Sequence, residues 1–196
     1  MRRSSWLLFL CVSLFGVSLF FSIACQGRQQ QPQQPEYTPS ATIKDLMLSI
    51  VDPSADVVWE SVTTVIGPSG TEEKVPRTDE EWTNARRGAI RLVEASNLLL
   101  IPGRRVGRPG EKSEFPGIEL EPEQMDVLIN KDREAWIRRA KGLHDASLAA
   151  LQAIDAKDAQ KLFELGEGLE MACENCHSQY WYPNQQLPQG YGSLTR

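Results

Sequence analysis

The sequence predicts an all-α fold, an antiparallel up-down-up-down four-helix bundle over residues 41–182. Two observations carry this expectation. Apolar residues recur at helical spacing in four separate stretches, while no stretch shows a convincing strand pattern. Turn-type links separate the stretches, and a tight link makes consecutive helices antiparallel neighbours. Amphipathic helices with no sheet to cover must bury their stripes against one another, which a bundle achieves. No internal repeat is apparent.

The first helix is expected to begin after Pro39-Ser40, with Ile43, Leu46, Met47 and Ile50 on one face. Asp52-Pro53 interrupts it, because proline lacks a backbone donor and disfavours helix at the preceding residue. A kink is expected there, or a restart capped by Asp52. The stripe then resumes at Ala55, Trp59, Val62 and Ile66 until the turn Gly67-Pro68-Ser69-Gly70.

The second helix opens at Thr78 with Glu81 three residues on, a capping-box pattern. Trp82, Ala85, Ala89, Leu92, Ser96 and Leu99 follow one face, and Pro102-Gly103 stops it. Residues 102–121 form a long connection rich in Gly, Pro and Arg. Such loops in compact domains are functional or disordered. Its basic cluster, Arg104, Arg105, Arg108 and Lys112, stands out in an acidic chain.

The third helix starts near Pro122, where a missing N–H does no harm, and runs to Ile154. Met125, Leu128, Ile129, Trp136, Ala140, Leu143 and Ala150 mark its inner side, with Asp132 as a charged exception. Asp155-Ala156-Lys157-Asp158 turns the chain into the fourth helix, from about Ala159 to Trp181. That helix carries Leu162, Leu165, Leu169, Ala172, Cys173, Cys176 and Tyr180 on one side. Gly166 and Gly168 weaken it by roughly 1 kcal/mol each against Ala, and allow a close approach. Pro183 and the Gln/Gly-rich tail, residues 183–196, end the fold.

The chemistry is concentrated in Cys173-Glu174-Asn175-Cys176-His177. Cys-x-x-Cys-His is the attachment pattern of c-type haem: two thiols add to the haem vinyl groups, and the adjacent imidazole ligates iron. On a helix the three residues are i, i+3 and i+4, so they share one face. A redox dithiol would sit near a β-α-β pattern, which is lacking, and a zinc site would need a second ligand pair. The other histidine, His144, is distant in sequence and has no cysteine beside it. One covalent haem c is therefore the expected cofactor. It would lie inside the bundle, its open face towards the first or second helix.

Residues 1–24 read as an export signal: Met1-Arg2-Arg3 precedes an uncharged apolar run over residues 6–23. Residues 25–40 read as a Gln/Pro-rich tether. Cleavage before a lipid-modified Cys25 would make a bacterial lipoprotein, although Ser22 stands where leucine is usual. Cleavage after the small-x-small Ser22-Ile23-Ala24 would release a soluble periplasmic protein, and an uncleaved anchor is a third route. The lipoprotein is favoured, because Cys25 would otherwise be a lone thiol in an oxidising compartment. Each route puts the domain outside the cytoplasm.

About 155 residues lie beyond the tether, enough for one domain with its own core. Loss of Arg2 and Arg3 with the signal takes the formal charge from −5 to −7. Such acidity argues against nucleic acid as a partner and against charge-driven binding to anionic lipid.

The layout resembles the class II cytochromes c, the cytochrome c-prime and c-556 group, over about residues 41–182. Its most specific element is CENCHSQYW at the end of the fourth helix. The resemblance implies thioethers at Cys173 and Cys176 and His177 as proximal iron ligand. In that family a first-helix Met is the distal ligand of electron-transferring members, and a non-ligand such as Leu marks gas binders. Met47 best matches that position. Family members with five-coordinate iron usually carry a basic residue four positions after the proximal His, and this chain departs with Trp181. Family members often form homodimers through the first two helices.

The expectation is an exported mono-haem electron carrier serving redox partner proteins in the periplasm, tethered to the membrane if Cys25 is acylated. The rival is a five-coordinate protein binding NO or CO at an open distal site. Met125, Met171 and His144 are weaker candidates for the sixth ligand than Met47. Lys44, Arg86, Arg87 and the basic loop are candidates for pairing with haem propionates. An enzyme would need a distal acid–base group. Apart from Lys44 and Asp45 none flanks Met47, so catalysis is not expected.

Overall fold

The computed structural model describes residues 37–68 and 70–183. The expected signal peptide, Cys25, most of the tether and all of the tail beyond Pro183 lie outside the described residues. The described chain is mostly helical: five helical rods and one small β-hairpin.

The first rod joins α1 (Ile43–Leu46), a π turn (Met47–Val51) and α2 (Asp52–Trp59). Thr42 and Asp45 start it with a reciprocal capping box, each side chain 3.0 Å from the other's backbone N–H. Asp52 does not cap a new helix. The widened π turn precedes Pro53 and accommodates a residue that can neither donate nor fit a regular turn. The extra residue moves the buried stripe from Ile43 and Leu46 to Val51, Ala55 and Val58.

Helix does not continue to Ile66. Thr63, Thr64, Val65 and Ile66 are consecutive β-branched residues, which favour a pleated chain. They form β1 (Thr63–Gly67), paired antiparallel with β2 (Gly70–Lys74) in the register Thr63↔Lys74 to Gly67↔Gly70. Gly70 adopts φ +123°, open to glycine alone among common residues. The hairpin stands in solvent, with Ile66 82% exposed.

Helix α3 (Asp79–Leu98) opens as its sequence predicts, on the Thr78–Glu81 capping box. It packs closely on α2 at Gly88. A methyl group there would lie 2.9 Å from Val57 Cγ1 and 3.1 Å from the Ser54 carbonyl.

The third predicted helix is two. Helix α4 (Pro122–Lys131) ends at Asp132, whose φ of −136° and ψ of 77° break the helix. The Asp132 carboxylate accepts the Ala135 N–H at 2.9 Å and so begins α5 (Arg133–Asp155). The charged residue on the apolar stripe is thus an N-cap. Residues 156–158 turn the chain, with Lys157 at φ 53°, into α6 (Ala159–Tyr180). Helices α3, α5 and α6 pack together, and α2 adds to α3. Trp136, Leu92, Ile154, Leu162 and Leu169 lie in the shared core.

The loop between α3 and α4 is largely exposed but tied down at several points. Its Arg105 and Val106 carbonyls accept the Ile43 and Lys44 N–H groups at 2.8 and 3.0 Å, satisfying donors at the start of α1. Arg105 and the Val106 N–H both reach the buried Asp126 carboxylate, at 2.6 and 2.9 Å. Among the described residues no helix is long and apolar enough to cross a membrane.

Candidate functional site

The final turns of α6 carry Cys173, Cys176 and His177, and all three line a cavity of about 840 Å³ between α6 and the first rod. Val51, Ala55, Val58, Leu143, Leu162 and Leu169 give it an apolar wall. Trp59 crosses at one end, its indole N–H 3.4 Å from the Gly166 carbonyl; a Cβ at Gly166 would lie 3.8 Å from the ring, an ordinary contact, so the approach of α2 does not depend on the glycine. A second cavity of about 180 Å³ lies against the loop and α4. Met47, Asp52, Trp136, Cys176 and His177 line both, so these five residues stand where the two meet.

Both cysteines are half-buried, and the space they face is the cavity rather than bulk water. Desolvation of the thiolate pushes each thiol up to about 12, and at Cys173 the neighbouring Asp52, Glu174 and Glu170 add to it. Reactive dithiols and thiolate metal ligands need the opposite shift. Among the described residues no group of three or more His, Cys, Asp and Glu side chains is arranged to hold a metal ion. The raised thiols disfavour a redox dithiol, and the described residues supply no ligand set for zinc.

The His177 imidazole is enclosed by its own helix end. Its Nδ1 is 3.5 Å from Glu174 Oε1, and the Tyr182 hydroxyl donates to that carboxylate at 2.7–2.8 Å. The Trp181 ring meets the imidazole edge-on at 5.0 Å, and the Tyr182 ring lies at 6.1 Å. Asp52 faces the same region; burial raises its carboxyl above the usual range, and the charge on His177 opposes that shift.

Met47 lies in the π turn, half-buried, on the wall of both cavities. Met125 lines the smaller cavity, while Met171 is on the wall of neither. His144 pairs with Asp145 at 3.2 Å and also lines neither cavity. Arg86 is engaged away from the site, 2.6 Å from Asp155. The basic loop does not present free charge at its named positions. Arg104 bonds the Ala41 and Leu98 carbonyls, Arg105 pairs with Asp126, Arg108 with Asp45, and Lys112 lies 3.9 Å from Glu121. Lys44 is held by Glu111 and Glu114 at 3.2 and 2.9 Å, and these partners raise its ammonium above the usual range, foremost the bond to Glu114. Lys44 and Lys112 do line the smaller cavity.

Sequence reasoning missed Glu174 and Arg139, whereas Tyr182 is expected from its place in the sequence to pack around the proximal imidazole, and its ring lies 6.1 Å from that of His177. Glu174 was legible as the residue three before His177, one helical turn away. Arg139 lines the larger cavity and bonds Gln179 at 2.9 Å; no sequence motif marks it.

The residues fit a haem. Two thiols and an imidazole share one face beside a cavity in the usual cofactor range of roughly 300–1,000 Å³. A thioether borders the same space. The Tyr180 hydroxyl, buried and without a hydrogen-bond partner among the described residues, belongs to a residue on the wall of the smaller cavity. Comparison with protein-family models, characterised proteins and solved structures finds no match to this chain.

Proposed function

We propose that this chain is an exported mono-haem c-type cytochrome that transfers electrons, built as a four-helix bundle from the first rod, α3, α5 and α6. The observation that carries the reading is that Cys173, Cys176, His177 and Met47 border one cavity of about 840 Å³. Haem c, covalent at both cysteines, supplies a one-electron Fe(III)/Fe(II) couple.

The chain's own residues then have defined tasks. Cys173 and Cys176 anchor the group to α6, and His177, one residue on, supplies an imidazole at a position the helix already fixes. Met47 supplies a thioether from the opposite rod, a soft donor that raises the potential. Leu162, Leu169, Val58 and Leu143 exclude water; the packing of α6 on α5 holds the element that carries His177, and the packing of the first rod on α3 holds the one that carries Met47. Redox proteins of the periplasm are the proposed partners, with Cys25 acylation as the link to the membrane.

Optical spectra of the purified full-length protein, oxidised and then reduced, test this. The expected result is covalent haem with low-spin bands, and conversion to a high-spin spectrum in Met47→Ala. No haem absorbance in a strain competent for cytochrome c maturation would overturn the proposal. Rapid uptake of carbon monoxide by the reduced wild type would replace it with the gas-binding alternative.

A further inference from the structure

We propose that Glu174, anchored by Tyr182, is a positioning residue for His177: it holds the proton on Nδ1 and leaves Nε2 as the ligating nitrogen. This rests on the reading of His177 as an iron ligand. Glu174 lies one helical turn before His177, so both side chains leave the same side of α6. The carboxylate lies 3.5 Å from Nδ1, an ion-pair distance longer than the roughly 2.7–3.2 Å of an ordinary N–H···O bond.

What makes this more than a neighbouring charge is the closed ring of contacts around it. The Tyr182 backbone N–H bonds the His177 carbonyl at 3.1 Å, which brings the Tyr182 side chain back over the helix end. Its hydroxyl then reaches both Glu174 oxygens, at 2.8 and 2.7 Å. The ring closes from the His177 backbone through Tyr182 and Glu174 to the His177 imidazole. Trp181, edge-on at 5.0 Å, limits rotation of the imidazole. Neutral imidazole has two tautomers, and the partner of one nitrogen decides which nitrogen is free to ligate. A carboxylate partner also makes the imidazole a stronger donor, which favours Fe(III) over Fe(II).

The test uses the full-length haem-loaded protein and two variants, Glu174→Gln and Tyr182→Phe. The readouts are the reduction potential and, with each protein also carrying Met47→Ala to leave the iron five-coordinate, the iron–imidazole stretch in the resonance Raman spectrum of the reduced protein. Glu174→Gln is expected to raise the potential and lower the stretching frequency. Tyr182→Phe keeps the carboxylate but frees it, and is expected to shift both in the same direction by less. If Glu174→Gln does not mature, Tyr182→Phe carries the test alone. Haem-loaded variants with wild-type potential and stretch would overturn the assignment while leaving the cytochrome reading intact. Wild-type protein without haem would overturn both.

Discussion

Asp126 is the residue whose loss should reveal how the α3–α4 loop is held. It is 8% exposed and serves two donors, Arg105 Nε at 2.6 Å and the Val106 N–H at 2.9 Å. The two are unequal. The Arg105 side chain is 66% exposed, so its ion pair is screened and contributes below about 1 kcal/mol. Val106 is 6% exposed, and Asp126→Ala leaves its N–H buried without an acceptor, at a cost of about 1–3 kcal/mol.

Asp126→Ala should therefore destabilise by about 1–4 kcal/mol, or roughly 2–16 °C in Tm for a domain of this size. Asp126→Asn keeps a carbonyl oxygen for Val106 and loses only the charge, so its cost should stay below about 1 kcal/mol. Urea unfolding of the two variants gives the comparison. Trypsin gives a second readout: cleavage at Arg104 or Arg105 should accelerate in the alanine variant alone. Equal destabilisation by Ala and Asn would refute the assignment of the cost to the Val106 N–H.

Two further outcomes follow from packing and charge. Gly88→Ala puts a methyl 2.9 Å from Val57 Cγ1 and 3.1 Å from the Ser54 carbonyl, so it should destabilise by about 1–3 kcal/mol despite better helix propensity. Adding Val57→Ala should recover part of that loss in urea unfolding; additive losses would show that the contact is not the cause. The Glu81 carboxyl is held below its ordinary value of 4.5 first by the Arg77 N–H and then by Thr78, so its contribution is present above that value. It is lost as pH falls through the lower folded value. The gap in urea midpoint between wild type and Glu81→Gln should be open at pH 7 and close at strongly acidic pH, and a gap independent of pH would contradict the capping role.

Helix starts were legible because capping is local. Thr78 with Glu81 names the start of α3 from four residues, and the structure keeps both hydrogen bonds. The hairpin was not legible, because Ile66 continues the helical spacing of Val62 by accident. A run of β-branched residues decides locally, and periodicity read over a longer window obscures it. Asp132 looked like a charge on an apolar stripe because the stripe was read as one helix; a cap inside a long pattern is visible only if a break is allowed. The three residues of the motif were legible as a set, since their spacing alone puts them on one face of a helix. Glu174 lies inside the same five residues, but its role depends on Tyr182, which reaches it through a turn after α6 that spacing does not describe.

Exposure along α6 connects the fold to its proposed use. An amphipathic helix alternates buried and exposed positions with a period of 3.6 residues. Residues 171–179 do not: all nine are half-buried. A helix end can be half-buried all round only if it stands between partly filled spaces, and Cys176 and His177 do line both cavities. At roughly 24 cal/mol per Å³ a dry cavity of about 840 Å³ would cost about 20 kcal/mol, more than the 5–15 kcal/mol by which a domain is stable. Water admitted through an open mouth reduces that figure, while Val58, Leu162 and Leu169 behind the cavity wall stay 1–2% exposed. A large apolar occupant, as the proposed haem would be, offsets that cost. Cys173 and Cys176 border that space from α6, where the proposed attachment requires them.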